Sequence, residues 1–211
     1  MTEPAGPAME RSPLAAVLLA AGASRRFGAD NKLLARIDGV PLLRRNAAAL
    51  LAAGVSPLVV VTGADPAGVA DALAGMPVAP VANPRWEAGM GGSIAVGVLA
   101  LPETAQGAFV VPGDLACLRV DAVRRLSAAF FDAGGRRVIV PVTRDGAQRN
   151  PVLWPRTELP RLAALSGEEG GKSLLDTLAG GRLDVAFDDA GLFADIDTPA
   201  DLARAIARMM R

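Results

Sequence analysis

This sequence predicts an α/β fold: a mainly parallel mixed sheet held between two layers of helices. Wholly apolar runs of strand length recur along the chain, as in Ala15-Ala16-Val17-Leu18-Leu19-Ala20. They alternate with segments of helical period. The apolar content, 51% of 211 residues, lies mostly in Ala, Val and Leu, with aromatics at only 4%. Strands without polar alternation are buried on both faces, and strand–helix alternation implies parallel pairing with helices on each side.

Residues 1–13, which hold Pro4, Pro7 and Pro13, read as a flexible tail, and 14–211 as one domain without repeat or internal linker. The run at 15–20 fits a fully buried strand. A loop rich in glycine and charge follows it. Over 41–53, Leu42, Leu43, Leu50 and Leu51 fall at helical spacing, and Gly54 supplies the stop. Residues 58–62 form a second buried strand. Asp65-Pro66 opens a short helix ending near Gly75. A short strand at 78–81 leads into a glycine-bearing loop around Trp86. A helix is expected over 93–101, a strand over 107–111, a helix over 120–132 and a strand over 137–141. Residues 151–154 read as extended. Helical stretches near 158–165 and 171–179, weak strands near 183–187 and 193–195, and a terminal helix from Pro199 complete the alternation. In such sheets ligands bind beyond the carboxyl ends of the strands, where the strand order reverses.

Composition removes several classes of chemistry. The 22 Lys and Arg balance 22 Asp and Glu, so there is no basic surplus to follow a nucleic-acid backbone. Histidine is absent and Cys117 is the single cysteine. That rules out Ser-His-Asp and Cys-His catalysis, histidine-bound metals, disulfides within the chain and cysteine zinc cages. Carboxylates, lysine, arginine, backbone amides and oxygen-bound hard metals remain. The first residues lack the layout of a secretion signal, and the apolar run at 14–23 is too short to span a bilayer. A cytoplasmic protein that engages neither membrane nor nucleic acid is the expectation.

Four segments carry candidate chemistry. Leu19-Ala20-Ala21-Gly22-Ala23-Ser24-Arg25-Arg26-Phe27-Gly28-Ala29-Asp30-Asn31-Lys32 leaves the first strand, where an open sheet binds ligand. Gly22 and Gly28 let the backbone approach phosphate oxygens, and consecutive amides can form an anion-holding nest. Arg26 and Lys32 add positive charge, one a planar two-pronged donor and the other a mobile point charge. The spacing fits neither a Walker A loop nor the dinucleotide fingerprint. A solvated turn is the bland alternative. The second segment, 83–93, sets Trp86 and Met90 among glycines, which allow a flat ligand close to the backbone; Ser93 is placed to cap the next helix. The third, Gly113-Asp114, ends an apolar strand, where Asp114 could bind a hard cation or simply form a turn. In the fourth, Asp195-Ile196-Asp197-Thr198-Pro199, Asp197 or Thr198 could cap the terminal helix, worth about 1 kcal/mol.

In this order the four segments resemble the motifs of the molybdenum cofactor nucleotidyltransferases, most closely the cytidylyltransferase branch, over nearly the whole chain after residue 13. The resemblance implies a three-layer, Rossmann-like nucleotidyltransferase fold. It implies Mg²⁺-dependent transfer of a cytidylyl group from CTP to the phosphate of molybdopterin, with release of pyrophosphate. By the same resemblance, Leu19, Ala20, Ala21, Gly22, Ser24, Arg25, Arg26 and Lys32 bind the nucleotide. Asn83, Trp86, Gly89, Met90, Ser93 and Asn150 bind the pterin substrate, and Asp114 and Asp197 the metal. Arg26, Lys32 and Asp114 form the catalytic set. Alanine at position 21 is associated with CTP, and glycine there with GTP.

The sequence also departs from the family pattern. Arg149-Asn150-Pro151 stands where many relatives carry Gly-His-Pro, and asparagine cannot titrate near neutral pH. Ala116 stands where proline is common. Residues 167–172 resemble a further family loop, with Lys172 a candidate anion contact. The motifs leave alternatives open: another nucleoside triphosphate, or another phosphorylated acceptor such as a sugar phosphate or isoprenoid precursor. A non-catalytic carrier delivering molybdopterin to a molybdoenzyme or its maturation chaperone is a third reading. The absent dinucleotide fingerprint argues against a reductase.

Overall fold

A computed structural model describes residues 13–28, 31–178 and 181–209; apart from Pro13, the expected tail lies outside them. Seven strands form one sheet: β1 (Leu14–Ala20), β4 (Leu58–Thr62), β5 (Val78–Ala82), β6 (Gly107–Pro112), β7 (Val138–Thr143), β8 (Val152–Pro155) and β9 (Arg182–Phe187), in the order β5-β4-β1-β6-β8-β7-β9. Only β8 runs against its neighbours; the other pairings are parallel. The sheet is mixed and mainly parallel, as the apolar runs predict. A small antiparallel pair, β2 (Arg36–Ile37) with β3 (Val40–Pro41), stands apart from it.

The helices are α1 (Leu42–Ala52), α2 (Pro66–Ala72), α3 (Met90–Leu99), α4 (Val120–Asp132), α5 (Leu159–Ala163), α6 (Lys172–Leu175) and α7 (Pro199–Met209). Pleating divides β1 between two cores. Ala16, Leu18 and Ala20 face a layer that includes Leu43 and Leu50 of α1 and Leu126 and Phe130 of α4. Ala15 and Val17 face the other layer, with Ile94 and Val98 of α3 and Leu159 and Leu162 of α5. Burying each Val, Leu, Ile or Phe side chain among them contributes roughly 1.5–3 kcal/mol, so the central strands anchor the fold. A third, smaller cluster joins Ile37, Leu42, Ala116 and Ile196 to the apolar face of α7.

This topology fixes the site. From β1 the chain crosses to β4 and β5 on one side, then returns through α3 to β6 on the other. The segments after β1 and β6 therefore part at a crevice, the place where open α/β sheets bind ligands. Gly97 lets α3 lie close to the sheet there, since a Cβ would meet Val17 Cγ1 at 2.2 Å.

Four elements differ from the sequence reading. Helix α3 begins at Met90, before Ser93, because the Gly91 amide bonds to Gly167 O (2.9 Å) and its bare Cα leaves room for the 166–169 backbone. The helix expected over 171–179 is confined to α6. Residues 193–195 are not a strand; Asp195 makes an isolated bridge to Leu115. The β2–β3 hairpin went unread, although Asp38 and Gly39 both take positive φ (52° and 77°), the habit of a tight two-residue turn. Among the described residues no helix is long and apolar enough to cross a membrane.

Candidate active site

The turn after β6 is held from three sides. Gly113 donates to Leu19 O at 3.0 Å, and a Cβ on it would come within 2.6 Å of that oxygen, so glycine is required. Asn46, buried in α1, donates to the carbonyls of both Gly113 and Leu115 at 3.0 Å. Asp114 lies between them. From the far side, Ile196 N donates to Asp114 O (2.9 Å) and Ala116 N to Ala194 O (2.8 Å). This stitching brings Asp195 and Asp197 beside Asp114, 81 residues or more away in sequence.

Lys32 closes the cluster. Its Nζ lies 2.5 Å from Asp114 Oδ2 and 3.0 Å from Asp197 Oδ1, and all but 17% of the side chain is buried. Burial alone would lower its pKa; the carboxylates of Asp114 and Asp197 more than offset that and hold the ammonium above its ordinary value. Arg26, exposed on the loop after β1, reaches Asp197 Oδ1 at 3.2 Å. The second oxygen of Asp114, Oδ1, is buried without a hydrogen-bond partner. Crowding by protein atoms pushes the Asp195 carboxyl up to about 6, with the like charges of Asp114 and Asp197 adding to the effect.

Two adjoining cavities, about 460 and 500 Å³, meet at this cluster and share Arg26, Lys32, Asp114 and Asp197. The first runs under the loop after β1, along Ala21, Gly22, Ser24 and Arg25, to Trp86, Gly89 and Ser93. The second runs over Ile94 and Trp154 to Arg149, Asn150, Lys172 and Asp195. Both are of the size that holds a small ligand. Leu19 and Met90 line both.

The sequence-derived residues are thus sorted. Those assigned to the nucleotide line the first cavity, except Ala20, which is 2% exposed and packs in the core. Of those assigned to the pterin, Trp86, Gly89 and Ser93 stand on that same first cavity, and only Met90 and Asn150 reach the second. Asn83 lines neither: buried, it donates to Ser93 Oγ (3.0 Å) and accepts from Arg85 N (3.0 Å), which shapes the second loop. Ser93 therefore sits inside α3 as that bond's acceptor and does not cap the helix. Nor does Asp197 cap α7. Thr198 and Asp201 do so reciprocally, Thr198 N donating to Asp201 Oδ2 (2.8 Å) and Asp201 N to Thr198 Oγ1 (3.3 Å). Asn46 escaped the sequence reading, yet a polar residue on the Leu42-Leu43-Ala47-Leu50 face is a recognisable signal.

Comparison with known proteins gives the family and the fold. The family model for the MobA-like NTP transferase domain matches residues 16–183. A molybdenum cofactor guanylyltransferase of Cupriavidus metallidurans is 31% identical over 203 residues, covering 92% of this chain and 95% of that protein. Among solved structures, Rv0371c of Mycobacterium tuberculosis H37Rv superposes with a TM-score of 0.78 at 25% identity, over 92% of this chain and 97% of its own. A nucleotidyl transferase of Methanothermobacter thermautotroptrophicus shares the fold, with a TM-score of 0.77 at 23% identity over 94% and 98% of the two chains. Sequence match and shared architecture lead to one conclusion: the chain belongs to the family of MobA-like NTP transferase domains and is a nucleotidyltransferase.

Proposed function

We propose that the protein transfers a cytidylyl group from CTP to the terminal phosphate of molybdopterin, releasing pyrophosphate with the help of Mg²⁺. One observation carries this reading: two ligand-sized cavities converge on the wall formed by Lys32, Asp114 and Asp197. A nucleotide in the first and a flat, phosphorylated acceptor in the second would meet there. Trp154 and Ile94 offer the acceptor an apolar surface, and Arg149 and Lys172 offer its anionic end positive charge.

An oxygen of the acceptor phosphate attacks the α-phosphorus, the bond to the bridging oxygen breaks, and pyrophosphate departs. That nucleophile is ionised at neutral pH and needs no base, which suits a chain without histidine. The protein's task is alignment and charge neutralisation. Lys32 and Arg26 exchange carboxylate partners for phosphate oxygens, stabilising the leaving group. Asp114 keeps one buried oxygen without a protein partner, a group that magnesium would satisfy. No group of three or more His, Cys, Asp or Glu side chains among the described residues could cage a metal. Magnesium suits such a place, since it takes one or two carboxylates and fills its shell with water and substrate phosphates. Asp114 and Asp197 would hold it, and when bound it would neutralise charge on the transferred phosphate.

The choice of base rests on Ala21. Its methyl is buried in a close-packed place: a Cβ on Gly63 would lie 2.8 Å from Ala21 Cβ and 2.7 Å from Trp86 Cβ. A methyl there takes room from a purine, a penalty of roughly 1–3 kcal/mol. The similarity to a guanylyltransferase favours GTP as the second reading. Incubation with each nucleotide, Mg²⁺ and molybdopterin, with mass analysis of the product, separates the two. A cytidylylated pterin supports the first reading and a guanylylated one the second. Pyrophosphate release only with a sugar phosphate or isoprenoid acceptor overturns both. An Ala21→Gly variant should raise GTP use relative to CTP; an unchanged ratio removes Ala21 from base selection.

A further inference from the structure

The amide of Asn31 and the carboxylate of Asp65 connect the Lys32 turn to a different part of the sheet. Asp65 precedes α2, and its Oδ1 accepts from Gly68 N at 2.9 Å, capping that helix. Its other oxygen accepts from Asn31 Nδ2 at 3.1 Å. The Asn31 Oδ1 in turn takes Leu33 N at 3.1 Å and the Ser24 hydroxyl at 3.3 Å. Finally, Ser24 Oγ accepts from Lys32 N at 3.2 Å. Every bond in this chain has a fixed direction. Asn31 cannot turn its amide over without setting its NH₂ against two donors and its oxygen against a carboxylate.

Packing supports the same connection. A Cβ at Gly68 would fall 2.4 Å from Asp65 Oδ2 and 2.8 Å from Leu34 Cδ1, so α2 rests directly on the turn at Lys32–Leu34. Glycine within a helix is destabilising by about 1 kcal/mol relative to alanine, and the close approach is what it permits here. The bond from Asn31, followed by that from Gly68, holds the Asp65 carboxyl below the usual carboxylate range, so it is ionised at neutral pH.

We propose that Asp65, acting through Asn31, is a positioning residue that sets where Lys32 stands between the two cavities. Asp65 lines neither cavity and touches none of the reacting groups. The proposal rests on nucleotidyl transfer at this site and is independent of the choice of base or acceptor.

The test is an exchange of partners. Asp65→Asn keeps an oxygen for Gly68 but turns an NH₂ toward that of Asn31. Asn31→Asp keeps an acceptor for Leu33 but sets two carboxylates face to face. In the double variant N31D/D65N the bond re-forms with its direction reversed. Each single variant should lower kcat for pyrophosphate release about tenfold or more, the scale of one charge-assisted hydrogen bond. Melting temperatures should change little, and the double variant should return kcat to within about threefold of the parent, as a restored pair demands. Single variants at the parent rate, or a double variant no faster than the slower single, overturn the proposal. Asp65→Ser guards against instability, because serine caps a helix but is too short to reach Asn31; it should be slow and stable, and parental turnover overturns the idea. If the parent protein releases no pyrophosphate, the transfer reading fails. The same exchange, read as Mg·CTP and Mg·GTP affinity by calorimetry, then decides the positioning role: a double variant that binds as the parent does supports it, and additive losses overturn it.

Discussion

Lys32 is one ammonium shared between two carboxylates, with a third, Asp195, close enough to feel its charge. Its removal therefore has two consequences. On the proposed mechanism catalysis loses a donor to the leaving phosphates, so Lys32→Ala should reduce kcat by about 10²–10³. The fold loses the counter-charge of a largely buried acidic group, so the same variant should be less stable by about 1–3 kcal/mol at neutral pH. Adding Asp114→Asn to it should restore part of that stability without restoring turnover. Urea unfolding of the single and double variants reads the first effect and pyrophosphate release the second; a double variant less stable than Lys32→Ala would contradict this account. Asn46 acts on the opposite side of the turn. Asn46→Leu leaves the carbonyls of Gly113 and Leu115 without their donor and should lower stability by about 2–4 kcal/mol. A loss below 1 kcal/mol on urea unfolding would mean that other donors serve those oxygens.

At the scale of elements, the fourth motif acts as a clamp. Asp201 Oδ2 accepts from the amides of Asp197 (3.3 Å) and Thr198 (2.8 Å) and from the Thr198 hydroxyl (2.7 Å). The carboxylate that caps α7 thus also fixes the backbone of a residue paired with Lys32 and Arg26. Asp201→Ala should cost about 1 kcal/mol of stability and lower kcat/KM several-fold. Arg204→Ala, which removes only an exposed ion pair with Asp201, should change neither. Equal turnover in both variants would separate the cap from the site. What the sequence made legible follows from the same physics. The central strands were readable because runs such as 58–62 are buried on both faces. The helix start at Met90 was not, because Gly91 and Gly92 mark a loop by local rule, and the reason for Gly91 is a backbone 75 residues or more away. Asp114 and Lys32 announced themselves by position after strands, whereas Asn31 and Asp65 look like ordinary loop and cap residues until α2 is laid on the Lys32 turn. The division of the second loop from Asn150 was equally hidden, since it depends on which side of Asp114 each segment returns.

For the molecule as a whole, the strand order sets apart two cavities, which the proposed function assigns to donor and acceptor. Segments after β1 and β5, with the start of α3, enclose the first cavity; segments after β7, with α6, enclose the second. They adjoin at the wall of Lys32, Asp114 and Asp197 and along Leu19, Arg26, Met90 and Pro112. A substitution deep in one cavity should therefore alter binding on that side alone. Trp86→Ala removes a large surface from the first cavity and should raise the nucleotide KM about tenfold, with the acceptor KM within about twofold of normal. Asn150→Ala should do the reverse. Variants of the wall, Lys32→Ala or Asp114→Asn, should lower kcat with either substrate saturating, because interactions made in the transition state act on turnover rather than on binding. Initial-rate kinetics with both substrates varied measure all four. If Trp86→Ala weakens the acceptor as much as the nucleotide, the two cavities act as one pocket, and the assignment of opposite sides to the two substrates fails.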